Sequence, residues 1–372
     1  MQKNRRAWLK WAVISGGIVI CIVAVVILVT PVFVSDNFIR QKVTQLLEDR
    51  FHADFQIGNI SFNWPNRIDI SYLTIQDKDQ NKEGQQTQID DIHGTLKLFP
   101  LLSKKLVAKK ILIREINYEN RLLVKDFVTD KLSFKDGIVF AYVRCSVNEG
   151  PTAIKGTVDI RQKKPVFDIT IDGKDIYITQ DVPIISLLPI FRVKEGEIGG
   201  VLNLSGYIRG NGLGKEILNK ELVTDMKLEI RDGYIRGNKL LSSIFEIIGE
   251  KNTYTFDSME AVIQIKDAKI YIPKMDIQSP VMSISASGMS EFEGMLSYDA
   301  EVRFNKEHLG KDVEKIAGLL LKQNALPIEI RGTTKDPKVA VKLHKDSMEH
   351  LIKGLVNDFL DSRKEKHKKG KN

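Results

Sequence analysis

The feature that most limits how this chain can fold is a polarity that switches at every second residue. Phe167, Ile169 and Ile171 alternate with polar neighbours, Leu202, Leu204 and Ile208 share one parity, and Tyr298, Ala300, Val302 and Phe304 share another. Successive side chains of a strand point to opposite faces, so such segments make sheets with one apolar and one wet face. Short strands are predicted in FQIGNISF, NRIDISYLTI, GTLKLF and KILIREINY. More follow in AIKGTVDI, PVFDITID, KDIYIT, GVLNLSGYIRG, DMKLEIRDGYI, AVIQIKD, AKIYIPKMDI, VMSISASGM, SYDAEVRF, LPIEIRGT and KVAVKL. The polar DKDQNKEGQQTQ reads as a loop and FPLLSKKLVAKK as a short helix or turn. DITIDGKDIYI, KLEIRDGYIRG and IQIKDAKIYI each fit a hairpin turning at Asp or Asp-Gly. The βαβ rhythm of a parallel-sheet enzyme is missing.

Helical spacing is confined to a few places. Ile39, Val43, Leu46 and Leu47 share a face in SDNFIRQKVTQLLEDRF, and Leu240–Ile248 and Val313–Leu321 are further candidates. In His344–Ser362, Leu351, Leu355 and Phe359 recur at every fourth position, which suits packing on the sheet or contact with a membrane.

Trp11–Val34 carries no charge and is long enough to cross about 30 Å of hydrocarbon as a helix. Lys3, Arg5, Arg6 and Lys10 precede it without an acid, which predicts a cytoplasmic N-terminus. The expected layout is a basic cytoplasmic segment at 1–10, a transmembrane anchor at 11–34 and an exported β domain at 35–343. A terminal amphipathic helix at 344–362 and a basic tail at 363–372 complete it. Cys21 falls in the anchor and Cys145 outside it, so no disulfide scaffold is predicted. The formal charge of +8 is diffuse apart from RKEKHKKGKN. That tail suits lipid headgroups better than nucleic acid, or serves only as a solubilising tail.

Motifs for chemistry are scarce. GNGLGKE has Arg209 where a phosphate loop needs glycine and Glu216 where it needs Ser or Thr. The six histidines show no close metal-ligand spacing, and Ser205 in NLSGY lacks the flanking pattern of a nucleophile elbow. Asp168 and Asp172 alternate with aliphatic residues, as on a solvated face. The reading is of no enzyme, with neither cofactor nor metal.

Two groups of segments resemble the AsmA-like family of Gram-negative envelope proteins. One is FQIGNISFNWPNRIDISYLTIQD with IHGTLKLFPLLSKKLVAKKILIREINY. The other is VLNLSGYIRGNG, IQIKDAKIYIPKMDIQSPVMSISASGMSEFEGMLSYDAEVRF and LPIEIRGTTKDPKVAV. The resemblance implies a mainly β fold: an N-terminal transmembrane helix, then an elongated, curled antiparallel sheet forming a taco- or gutter-like groove, with a few short helices. It implies an inner-membrane, single-pass protein whose bulk is periplasmic. Such a protein binds phospholipid acyl chains and assists lipid transport or outer-membrane homeostasis. The alternative is a non-enzymatic scaffold or regulator of outer-membrane protein assembly. Membrane phospholipids and envelope proteins are the implied partners, without nucleic acid. Groove positions are placed at Ile277, Met282, Ile284, Val302 and Phe304.

MDIQSPVMSISASGMS, Met275–Ser290, bears most directly on that face. Its apolar residues change parity around Ser279 and Pro280, and proline lacks a ladder donor, so an edge, bend or bulge is expected there. Ile277 and Ile284 are expected to stay on one side.

Overall fold

The computed structural model describes residues 36–48, 53–77, 86–102, 107–118, 120, 122–162, 164–178, 197–212, 221–237, 253–292, 294–305, 325–333 and 336–342. These fall into two compact units divided between Ser146 and Val147. Trp11–Val34, Leu240–Ile248, Val313–Leu321 and the C-terminal helix and tail expected from the sequence lie outside the described residues.

In the first unit, helix α1 (Asp36–Glu48) is followed by β1 (Ala53–Ile57), β2 (Ile60–Asn63) and β3 (Arg67–Asp77). Then come β4 (Gln86–Leu96), the one-turn helix α2 (Leu98–Leu102), β5 (Ala108–Tyr118), β6 (Leu122–Lys135) and β7 (Ile138–Val147). Strand β3 pairs with β2 through its first half and with β1 through its second, so β1 and β2 form one interrupted edge. The interruption is at Gly58, where a Cβ would lie 2.4 Å from Ser71 Oγ and 2.5 Å from the Tyr72 ring. Helix α1 secures this edge. Asp36 Oδ1 accepts from the Phe62 amide at 2.7 Å, and Arg40 donates to the Gly58 carbonyl at 3.3 Å. Ile39 is buried with Ile60, Ile68, Leu96 and Leu101, and Val43 packs beside them. The helical face read at Ile39 and Val43 therefore forms this unit's core. It also covers backbone groups that an edge would otherwise expose.

Strands β3, β4, β5 and β6 pair antiparallel in chain order. Their apolar residues step by three at one rung: Ile70 to Leu73, Ile89 to Ile92, Ile113 to Ile116 and Val124 to Phe127. Asp91 and Asp126, at that rung, take positive φ of 51° and 52°. A single left-handed residue re-aims a strand without ending it, and Asp tolerates that state because its short side chain can bond locally.

The second unit is a meander. β8 (Gly150–Asp159), β9 (Val166–Ile178), β10 (Glu197–Asn211), β11 (Val223–Arg236) and β12 (Thr253–Lys266) lead to β13 (Lys269–Gln278). β14 (Met282–Glu291), β15 (Met295–Phe304), β16 (Ala325–Thr333) and β17 (Pro337–Val341) complete it. Each pairs antiparallel with its chain neighbour.

One backbone rule separates turns from kinks. Two consecutive residues with positive φ reverse the chain at Asp136–Gly137 and Asp267–Ala268, the geometry that matches the twist of flanking strands. A lone positive φ at Asp175 (51°) or Asp232 (49°) leaves the strand running. There the register against β10 slips by one residue, as at a β-bulge. Of the three predicted hairpins only IQIKDAKIYI is one; DITIDGKDIYI and KLEIRDGYIRG are single bulged strands. Strands β6 and β7 add to those predicted, and DKDQNKEGQQTQ gives its last residues to β4.

The parity change at Pro280 is a chain reversal between β13 and β14. Ser279 N–H donates to the Met282 carbonyl at 3.0 Å, leaving Pro280 and Val281 as the turn. Ile277 then pairs directly with Ile284, on the same face as expected.

Two corrections concern the architecture. The chain is mainly β with few short helices, but among the described residues no helix is long and apolar enough to cross a membrane. The anchor expected at Trp11–Val34 lies outside the described residues, so the single-pass inner-membrane topology and the membrane vocabulary attached to it have no spanning helix among the described residues to rest on. The curled gutter is not found either: among the described residues no ladder joins β17 back to β8, and the face predicted to line an open groove is sealed. One rung of it runs Leu202, Ile230, Met259, Ile277, Ile284, Val302, Leu326 across β10 to β16. All seven are buried, Ile284 and Leu326 being the most exposed at 3%. Alternation specifies that a face must leave water, and a packed core satisfies it as well as a groove does.

Removing the Ile284 side chain beyond Cβ should then create a core cavity. Ile284→Ala is expected to lower unfolding free energy by about 2–5 kcal/mol, read from urea denaturation. A loss below about 1 kcal/mol would show that the side chain has no packed surroundings.

Candidate functional site

Ile277, Ile284 and Val302 occupy that single rung, and Met282 pairs with Phe304 on the next. The structure thus gathers all five sequence-predicted residues, as core. Burial pushes the nearby Tyr254 hydroxyl up to about 12, offset by a bond from Ser279, with Asp257 adding to the rise. Tyr254 donates to the Met282 carbonyl at 3.3 Å, which holds the Pro280 turn against the core. The acyl-chain groove and the phospholipid-transport role built on it are corrected by this burial, and the outer-membrane assembly alternative has no membrane-spanning helix among the described residues to support it. Side chains at 0–9% exposure offer no surface to a ligand.

The opposite face of the same strands is the one open to a ligand. A cleft of about 420 Å³ crosses β9 to β13, lined among others by Asp172, Lys174, Asn203, Ser205, Lys227, Glu229, Glu260, Val262 and Lys274. Its walls follow from register. One rung runs Asp172, Ser205, Lys227, Val262, Lys274, and the next runs Asn203, Glu229, Glu260, Asp276. Ser205 and Val262 are short and alternate with the long lysines, which makes the floor. Two register slips flank it. In β9 the Asp175 amide donates to Asn203 Oδ1 at 2.8 Å, and in β13 the slip lies between Ile272 and Met275, at Pro273. Proline is accommodated at such a break because no ladder donor is needed there.

The cleft's charges fall into two rows. Lys227 and Lys274 share the first rung with Asp172, and Glu229 and Glu260 stand side by side on the second, which Asp276 continues beside the cleft. Asn203 donates to Glu229 at 3.0 Å, and Lys274 meets Asp276 at 2.9 Å. Burial raises the Asp276 carboxyl, but bonds from Ser285 and Lys274 more than offset it and hold it below the usual carboxylate value. Hydrogen bonding to Asp276 raises Lys274 in turn. Among the described residues Lys227 has no ion pair, and Glu229 faces Glu260 directly, a like-charge pairing that costs stability. Among the described residues, His, Cys, Asp and Glu form no group able to hold a metal ion.

In the first unit, β3–β4 pairing sets Asp69 opposite His93. His93 Nδ1 lies 2.5 Å from Asp69 Oδ1, Arg67 donates to the same oxygen at 2.8 Å, and Asn63 bonds the other. Burial raises the Asp69 carboxyl, but these donors lower it further, to a net value below the usual range. The cluster ties turn to ladder. Neither it nor the cleft was read from the sequence: both are set by cross-strand register, which brings together residues 12 to 102 positions apart. Isolated alternation could not reveal that.

Comparison with protein-family models, curated proteins and solved structures finds no match, so the AsmA-like resemblance rests on the quoted segments alone.

Because the Asp69 carboxyl titrates lower when folded, its contribution is complete above the ordinary carboxylate pKa and is lost as pH falls through the folded value. Asp69→Asn is expected to destabilise the protein most near neutrality, with the difference from wild type shrinking in acid. Denaturation midpoints across pH 3–8 measure this; a gap that does not narrow in acid would contradict it.

Proposed function

We propose that this chain is a non-catalytic binding module that engages a protein partner through the polar cleft over β9 to β13. The observation that carries the reading is the pairing of opposite uses on one set of strands. The apolar parity is sealed, while the polar parity presents Lys227, Glu229, Glu260 and Lys274 around a floor of Ser205 and Val262. Cations and anions occur there in similar number. That favours a polypeptide over a polyphosphate, since a nucleic-acid surface needs a dominantly basic field. Exposed ion pairs are each worth only about 0.2–1 kcal/mol, so recognition by such a cleft is modest in affinity, salt-sensitive and selective through charge order.

Incorporating a photoreactive amino acid at Ser205 in cells is expected to give a crosslink to a discrete protein. The same residue at Lys266, at the far end of β12, should not give it. Lys227→Glu combined with Lys274→Glu should reduce the Ser205 adduct at least fivefold without lowering the level of the chain. An adduct indifferent to those reversals, or equal adducts from both positions, would contradict the assignment.

A further inference from the structure

The two charged rungs also limit what shape of polypeptide the cleft can take. We infer that the bound segment is an extended strand-like peptide carrying an acidic and a basic side chain two residues apart. This rests on reading the cleft as a protein-binding site.

Lys227 and Glu229 are separated by two positions on β11, and Lys274 and Asp276 by two positions on β13. Along a strand that separation is about 7 Å. A ligand that sets an anion over the lysine rung and a cation over the acidic rung must present its charges at the same interval. An extended peptide does so from positions i and i+2, which lie on one of its faces. A helical segment sets its same-face neighbours at i+3 and i+4 instead.

Electrostatics favour the same order. Glu229, Glu260 and Asp276 lie on adjoining strands about 4.8 Å apart; among the described residues Asp276 alone of the three forms an ion pair with a lysine, Lys274, which also feels the charge of Glu260. A basic side chain laid along this row relieves repulsion that the free sheet carries. Lys227, with no ion pair among the described residues, is open to the ligand's acid. The row order reverses at β9, where Asp172 stands on the lysine rung and Lys174 lies at the bulge opposite Asn203. The complementary pattern therefore covers β11 to β13 and ends at β10, where Asn203 and Ser205 are neutral.

The test uses the full chain and two fluorescent twelve-residue peptides of identical composition. In one, Glu and Lys alternate at every second position with Thr between; in the other, the Glu residues occupy one half and the Lys residues the other. Anisotropy at low salt is expected to show the alternating peptide binding at least tenfold more tightly. Lys227→Glu should remove that preference, and about 0.5 M salt should weaken binding strongly. Equal binding of the two peptides, or a preference unchanged in Lys227→Glu, overturns the inference. If the peptides fail while the charge-dependent Ser205 crosslink persists, the peptide class is wrong and the protein-binding reading stands. If both fail, the cleft itself is misassigned.

Discussion

The rest of the second unit depends on cross-strand contact between aliphatic side chains on one sheet face. Leu202, Ile230, Met259, Ile277, Ile284, Val302 and Leu326 form a continuous rung, with all seven withdrawn from water. Full burial of a large aliphatic side chain is worth about 1.5–3 kcal/mol, so this rung is a large part of what offsets the entropy of ordering long strands. It also fixes register, because a one-residue slip would carry the whole apolar set to the wet face. Register in turn places every charged residue of the cleft. The functional face is thus a consequence of the packed one.

Breaks in regularity refine that arrangement without disturbing it. At Gly206 a Cβ would come within 2.2 Å of the Asp225 carbonyl, so the close approach of β10 and β11 requires glycine there. The slips at Asp175 and Pro273 bracket the cleft, where bulges are well suited to re-aim side chains. In the first unit the same left-handed aspartate appears at Asp91 of β4 and Asp126 of β6, on either side of β5, while α1 holds the edge through Asp36 and Arg40. Aspartate in the left-handed region recurs at Asp91, Asp126 and Asp175.

Much of the strand content was legible because alternation is a local property, and the parity break at Pro280 gave the shared side of Ile277 and Ile284, though not their direct pairing. The amphipathic helix beginning at Asp36 was legible for the same reason. Topology was less so. Asp175, Asp232 and Asp267 share nearly the same φ, yet only Asp267 turns the chain, because Ala268 beside it also takes positive φ at 58°. Composition does not announce that second residue. The β6–β7 hairpin did carry a readable signal, Asp136-Gly137 between alternating segments. The use of the apolar face was not legible at all, since a groove and a core require the same pattern. The cleft and the Asp69–His93 pair depend on register between strands, which no single segment encodes.

The central claim is that one parity is sealed and the other is the working surface, and solvent access measures it directly. In a background with Cys21 and Cys145 replaced by serine, cysteine is placed at Ile277 or at Glu260, and reaction with a small thiol reagent is timed under native conditions. The account predicts rapid labelling at Glu260→Cys and labelling at Ile277→Cys at least a hundredfold slower, released only on unfolding. Comparable native rates at the two positions would contradict it.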